Sequence, residues 1–176
     1  MVSIYAIDWR YAPTRGVLDA ISNGLEQVVT EVVPVDIDDA LEQWESLIGV
    51  AFVTAQTYIT GTVSDANKIS TATPPLKKTQ LLQSHSKSVT GAAITELQLI
   101  DAAANLFKHR DEWPSWAPVP PRKATIEVLT AVGINEHDSH PCRKAANILW
   151  TPDTSNLKPL LTILEEWREK VISSVT

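Results

Sequence analysis

Along most of the chain, apolar residues recur at spacings of three and four, the signature of helices that bury one face. Val17, Leu18, Ile21, Leu25, Val28, Val29 and Val32 mark such a face and predict a first helix over about 16–32. Pro34 ends it, since proline lacks the amide that would continue the ladder. Asp36 or Asp38 can then accept from the free amides that open the next helix. That second helix carries Leu41, Trp44, Leu47, Ile48, Ala51, Phe52, Ala55, Tyr58 and Ile59, a repeat sustained over about 25 residues.

Near residue 60 the composition turns to Ser, Thr, Lys and Gln, with Pro74 and Pro75 in the middle and only Leu76, Leu81 and Leu82 to bury. Residues 61–91 are therefore expected to form a mobile connection holding one short helix near 76–84. A third long helix is expected at about 92–112, followed by a stiff crossover built from Trp113, Pro114, Trp116, Pro118, Pro120 and Pro121. Residues 122–132 predict a helix closed by Gly133, which tolerates the left-handed conformation after a helix end. A polar loop follows over 135–141, then a short helix over 142–149 and a turn at Thr151, Pro152 and Asp153. The last helix is expected to start at Ser155 or Asn156 as cap and to bury Leu157, Leu160, Leu161, Leu164, Trp167 and Val171. No stretch alternates at period two; residues 2–7 could form a short strand but have no partner strand. The fold class is thus all-α, one domain over 1–176, a helical bundle of about five to six helices.

Composition narrows the functional classes. The 176 residues carry 21 acidic and 15 basic side chains, net charge −6, with no basic cluster longer than Lys77-Lys78, which disfavours a grip on nucleic acid phosphates. No run of about 18 apolar residues is present, so no membrane span is expected. The N-terminal apolar stretch has no basic leader and reaches Asp8 early, so a cytoplasmic location is expected. A single cysteine, Cys142, excludes an internal disulfide and a multi-thiolate zinc site. No phosphate-cradling glycine loop, nucleophile elbow or zinc-protease motif occurs, so neither cofactor nor metal is expected, and a catalytic role has no standard chemistry behind it.

Candidate chemistry concentrates on residues 95–113. At roughly 100° per residue, Leu99, Ala103, Leu106 and Phe107 gather on one side, while Asp101, Asn105, Lys108 and Glu112 fall within about 60° of one another on the other, with His109 on their flank. Such a stripe either decorates a solvated face with weak ion pairs or holds a ligand or another chain. Ile94 and Leu97 lie on the same stripe one and two turns earlier. Neighbouring helices could then cover the face and make Asp101, Asn105 and Lys108 a semi-buried network. Trp113 and Trp116 offer an aromatic wall beside it, with Lys108 or His109 as polar anchor. Elsewhere, His137, His140 and Cys142 contain metal-ligating atoms at loop spacing, although a solvated polar loop explains the same residues. Cys142 has Arg143 and Lys144 beside it and stands near a helix start; both would lower its pKa, while a buried small residue is the plainer reading.

The segment Asn105-Leu106-Phe107-Lys108-His109-Arg110-Asp111-Glu112-Trp113, the helix end Val132-Gly133-Ile134 and the late Glu165-Glu166-Trp167-Arg168 resemble a group of uncharacterised bacterial helical proteins. These carry an Asn-x-x-Lys-His-x-x-x-Trp signature and occur as orphan genes on mobile elements and gene cassettes. The resemblance spans residues 92–172; it implies a helical bundle and a bacterial origin and brings no activity. A more distant similarity is to HEPN domains, many of them dimeric ribonucleases with an Arg four to six residues before a His on one helix. Positions 102–104 are alanine here, so the arginine that should precede His109 is missing. The leading expectation is a small helical binding protein that takes a protein partner or a second copy. A HEPN-like nuclease or inactive relative, and a small-ligand binder with a Trp-walled pocket, are the alternatives.

Overall fold

A computed structural model describes residues 4–33, 35–113, 115–150 and 155–176. Among these are seven α-helices and no strand; Ser88 and Thr95 form an isolated antiparallel bridge. The helices are α1 (Tyr11–Gln27), α2 (Ile37–Ile69), α3 (Lys78–Ser84), α4 (Glu96–His109), α5 (Lys123–Ala131), α6 (Pro141–Leu149) and α7 (Lys158–Ser173). Pro34, Pro114 of the expected crossover and the turn expected at 151–153 lie outside the described residues.

The central element is α2, which packs against α1, α4, α6 and α7, while α5 lies on the far side of α4. Asp36 starts α2 as anticipated, accepting from the amides of Asp38 and Asp39 at 2.9 and 3.1 Å. The helix runs ten residues past Ile59, so residues 61–69 are not part of a connection. Thr62, Asp65 and Ala66 continue the buried face, and the Ser/Thr-rich composition concealed this because two of these three positions are polar. Asn67 then fixes the chain that follows: its amide group donates to Leu76 O at 3.0 Å, and its Oδ1 accepts from Leu76 N at 2.7 Å.

By length and composition α2 is the one described helix that could cross a membrane, contrary to the expectation that no stretch qualifies. Half of its most apolar window is buried, with Ile48, Phe52, Ala55 and Ile59 fully inside the bundle. Gly49 permits the closest approach of α2 to α4, since a Cβ there would overlap the Phe107 ring.

Local chemistry explains the remaining helix ends. Asp8 Oδ1 accepts from the amides of Arg10 and Tyr11, both at 3.1 Å, so α1 begins at Tyr11, earlier than the apolar repeat shows. Residues 4–6 form a 3-10 turn and no strand. A capping box opens α4 at Glu96: Thr95 N donates to Gln98 Oε1 at 2.9 Å and Gln98 N to Thr95 Oγ1 at 3.3 Å. A 3-10 turn, Arg110–Glu112, completes that helix. Gly133 takes φ +74° after α5 and lets Ile134 bury completely. The cap position of α7 is Leu157, without a side-chain bond, although Asn156 Oδ1 accepts from Lys158 N at 3.1 Å.

Candidate functional site

The polar stripe on α4 faces α2 and α5. Its organiser is Gln56 of α2, 8% exposed, whose Nε2 donates to Asp101 Oδ1 at 2.6 Å and to Asn105 Oδ1 at 2.9 Å. Lys108 Nζ donates to Gln56 Oε1 at 2.6 Å, and Lys78 of α3 pairs with Asp101 at 2.5 Å. Gln56 therefore bridges three members of the stripe, and Lys78 neutralises its acid. Asp101 and Asn105 are half-buried, whereas Lys108 is exposed beyond its bond. His109 Nδ1 lies 3.2 Å from Glu112 Oε2, a pair at the surface.

Two adjoining concavities open between α4 and α5 and share Asn105, Pro121 and Thr125. The first, about 210 Å³, is walled by Leu82, Ala102, Ala124 and Val128, with Asp101 at its edge. The second, about 320 Å³, is walled by His109, Glu112, Trp113 and Arg122. Trp113 is the aromatic residue of that wall. Trp116 and Lys108 do not line this cavity; Trp116 is half-buried against the core.

Two lining residues carry polar atoms that the fold leaves unused. Thr125 is 9% exposed, and its hydroxyl makes no hydrogen bond to any described residue. Arg122 donates through Nε to Ala117 O at 3.0 Å, which orients the guanidinium while both Nη groups remain without a partner among the described residues.

A larger cavity, about 560 Å³, lies between the N-terminal segment and α7, beside Asp8, Glu165, Arg168 and Glu169. Arg168 is 3% exposed and fully engaged. It donates to Asp65 at 3.1 Å and to the carbonyls of Tyr5 and Ile7 at 3.2 and 3.1 Å, and its Nε lies 3.3 Å from Asp8. Arg10 also pairs with Asp65. Tyr58 donates to Asp8, and burial, reinforced by that carboxylate, pushes its phenol well above the usual tyrosine range.

Cys142 corrects an expectation of a lowered pKa. It is 1% exposed, and burial raises its thiol well above the ordinary value, with the neighbouring Glu45 carboxylate adding to the rise. Glu45 of α2, also 1% exposed, accepts from the amides of Cys142 and Arg143 at 2.8 and 2.9 Å and so caps α6 from another helix. Around His137 and His140, Asp138 accepts from Asn135 N and from Lys144, and no metal-ligating cluster forms among the described residues.

Gln56, Glu45, Asp65, Arg168, Arg122 and Thr125 were not singled out from the sequence. Glu45, Gln56 and Arg168 stand at three/four spacing within apolar faces, as in Leu41-Glu45-Ile48-Phe52 and Leu161-Leu164-Arg168-Val171, and that intrusion was a readable signal, whereas Asp65 lies where the apolar repeat has faded. Nothing local in the sequence marks Arg122 or Thr125, because their meaning depends on α5 lying across α4. Comparisons with protein-family models, curated proteins and solved structures return no match.

Proposed function

We propose that this chain is a helical binding protein whose site is the groove between α4 and α5. The observation that carries this reading is the Thr125 hydroxyl, which makes no hydrogen bond to any described residue and is accessible at the floor shared by the two concavities. An accessible hydroxyl that the fold leaves unbonded is free to bond a ligand, and a few polar groups in an otherwise apolar cleft are how small-molecule sites fix orientation. The Gln56 bridge supports the reading by holding Asn105 and Asp101 rigidly along one wall.

The groove's arginine, Arg122, stands at the cap position before α5 and not on the helix of His109, so the spacing of a HEPN nuclease has no counterpart there. Association with another protein or a second copy is a further reading. It is favoured by Ile4, Tyr5, Ile7 and Trp9, each at least 40% exposed on the N-terminal segment that Arg168 holds in place.

A fragment screen read by amide chemical shifts tests the groove. Binding fragments should perturb residues 98–113 and 121–128 together. Fragments that bind elsewhere, or no perturbation there at millimolar concentration, would remove the site.

A further inference from the structure

We infer that the groove is built for a small aromatic monocarboxylate, an inference that rests on the α4–α5 groove being a binding site. The donors at its polar end outnumber the acceptors. Arg122 offers two Nη groups in a fixed plane, because its Nε is tied to Ala117 O. Asn105 has its Oδ1 occupied by Gln56, which turns its amide nitrogen into the remaining function, a donor. Thr125 supplies a hydroxyl that can donate, while His109, whose Nδ1–H is given to Glu112, presents Nε2 as an acceptor in the neutral ring and is not one of these donors.

A planar guanidinium with both Nη groups open matches a carboxylate through two parallel bonds, the geometry in which arginine exceeds lysine. Glu112 is the one acid of this cavity, and it is engaged by His109 and mostly in solvent, so it screens an anion's approach little. The acid of the neighbouring concavity, Asp101, is neutralised by Lys78.

The rest of the groove selects the ligand's body. Trp113 and Pro121 flank the polar end and suit a flat ring, while Leu82, Ala102 and Val128 continue the apolar surface away from the donors. About 320 Å³ accommodates a one- or two-ring molecule and little more. A polyanion such as a nucleic acid strand is the wrong ligand for a chain of net charge −6 with a single arginine at the site.

The probes are indole-3-acetate and its neutral amide, indole-3-acetamide, titrated into the full chain and followed by amide chemical shifts and calorimetry. The acid should perturb the groove and bind about tenfold more tightly than the amide, the usual difference for a charge-assisted pair over a neutral one. Arg122→Gln should abolish that preference. Arg122→Lys should restore only part of it, since the charge returns without the fork. Thr125→Val, which keeps the side-chain shape, should weaken the acid severalfold while the circular dichroism spectrum stays unchanged. Equal binding of acid and amide within the groove would overturn the carboxylate assignment and leave the groove standing. Failure of both probes, and of neutral fragments, to perturb the groove would overturn both. An acid preference that survives Arg122→Gln would also overturn the assignment.

Discussion

Replacing Glu45 by alanine should detach α6 from α2. In the native fold the carboxylate is 1% exposed and accepts two backbone amides at 2.8 and 2.9 Å, at the start of a helix whose own cap residue, His140, gives no side-chain bond. Hydrogen bonds to a charged group contribute about 1.5–3 kcal/mol each, and the positive end of the helix dipole adds up to about 2 kcal/mol in a buried geometry. Against this stands the cost of burying the carboxylate, several kcal/mol, which alanine avoids. The amides of Cys142 and Arg143 lose their acceptor, however, the first of them in a buried bond, so the net loss should be about 2–4 kcal/mol, the scale of leaving such donors unsatisfied. Glu45→Gln keeps the shape and one acceptor but turns an N–H donor toward an amide, and should lose about 1–3 kcal/mol. Equilibrium urea unfolding followed by far-ultraviolet circular dichroism gives these differences. Cys142 supplies a second readout, because its buried thiol should resist an aromatic disulfide reagent in the parent and react in Glu45→Ala, where exposure rises and a raising charge is gone. If Glu45→Ala unfolds within about 0.5 kcal/mol of the parent, the size of an ordinary surface change, and Cys142 stays protected, Glu45 does not hold α6.

Further outcomes follow from other contacts. Gln56→Ala breaks the bridge to Asp101, Asn105 and Lys108 and should lose about 1–3 kcal/mol in urea unfolding, whereas Lys108→Ala, at an exposed position, should lose no more than about 1 kcal/mol; equal losses would refute the central place given to Gln56. Gly49→Ala should lower stability by about 1–3 kcal/mol through overlap with the Phe107 ring, and Phe107→Leu should relieve part of that loss in the double variant. Asp138 is held below the usual carboxylate range by the Asn135 amide and then by Lys144. Its contribution is therefore present above the unfolded pKa of about 3.9 and disappears as pH falls through the folded value. Asp138→Asn should be less stable than the parent near pH 7, by no more than about 1 kcal/mol because solvent screens the site. The two proteins should converge in strong acid, and thermal melts across pH would show a constant gap if the reasoning fails.

The three/four repeat made the helical bundle legible, because it records which faces meet the core. It gave the course of α1, the body of α2 and most of α7. What it could not give was the stretch of α2 from Thr60 onward, where Thr62 and Asp65 are buried for their bonding and not for their apolarity. The stripe Asp101, Asn105, Lys108 was visible as a pattern, and the suggestion that neighbouring helices cover it came from Ile94 and Leu97. Its partners were harder to find, since Gln56 lies 45 residues from Asp101 and only the packing of α2 on α4 joins them. Arg122 and Thr125 acquire meaning through the fold alone, as walls of a groove that exists only when α5 lies against α4.

Arg168 gives the bundle a particular order of assembly. Its guanidinium reaches the carbonyls of Tyr5 and Ile7 across separations of 163 and 161 residues, while also meeting Asp65. Closing so long a loop costs entropy that grows only slowly with length, but it has to be met before any of these bonds returns free energy. Local pairs such as α1 with α2, neighbours in the sequence, can form well before that. On this ground docking of α7 onto the N-terminal segment is expected late in folding, with the interactions of Arg168 not yet formed in the transition state. Weakening Arg168 should therefore accelerate unfolding and leave the folding rate nearly unchanged in stopped-flow kinetics, so that this one side chain sets how long the native state persists more than how quickly it is reached.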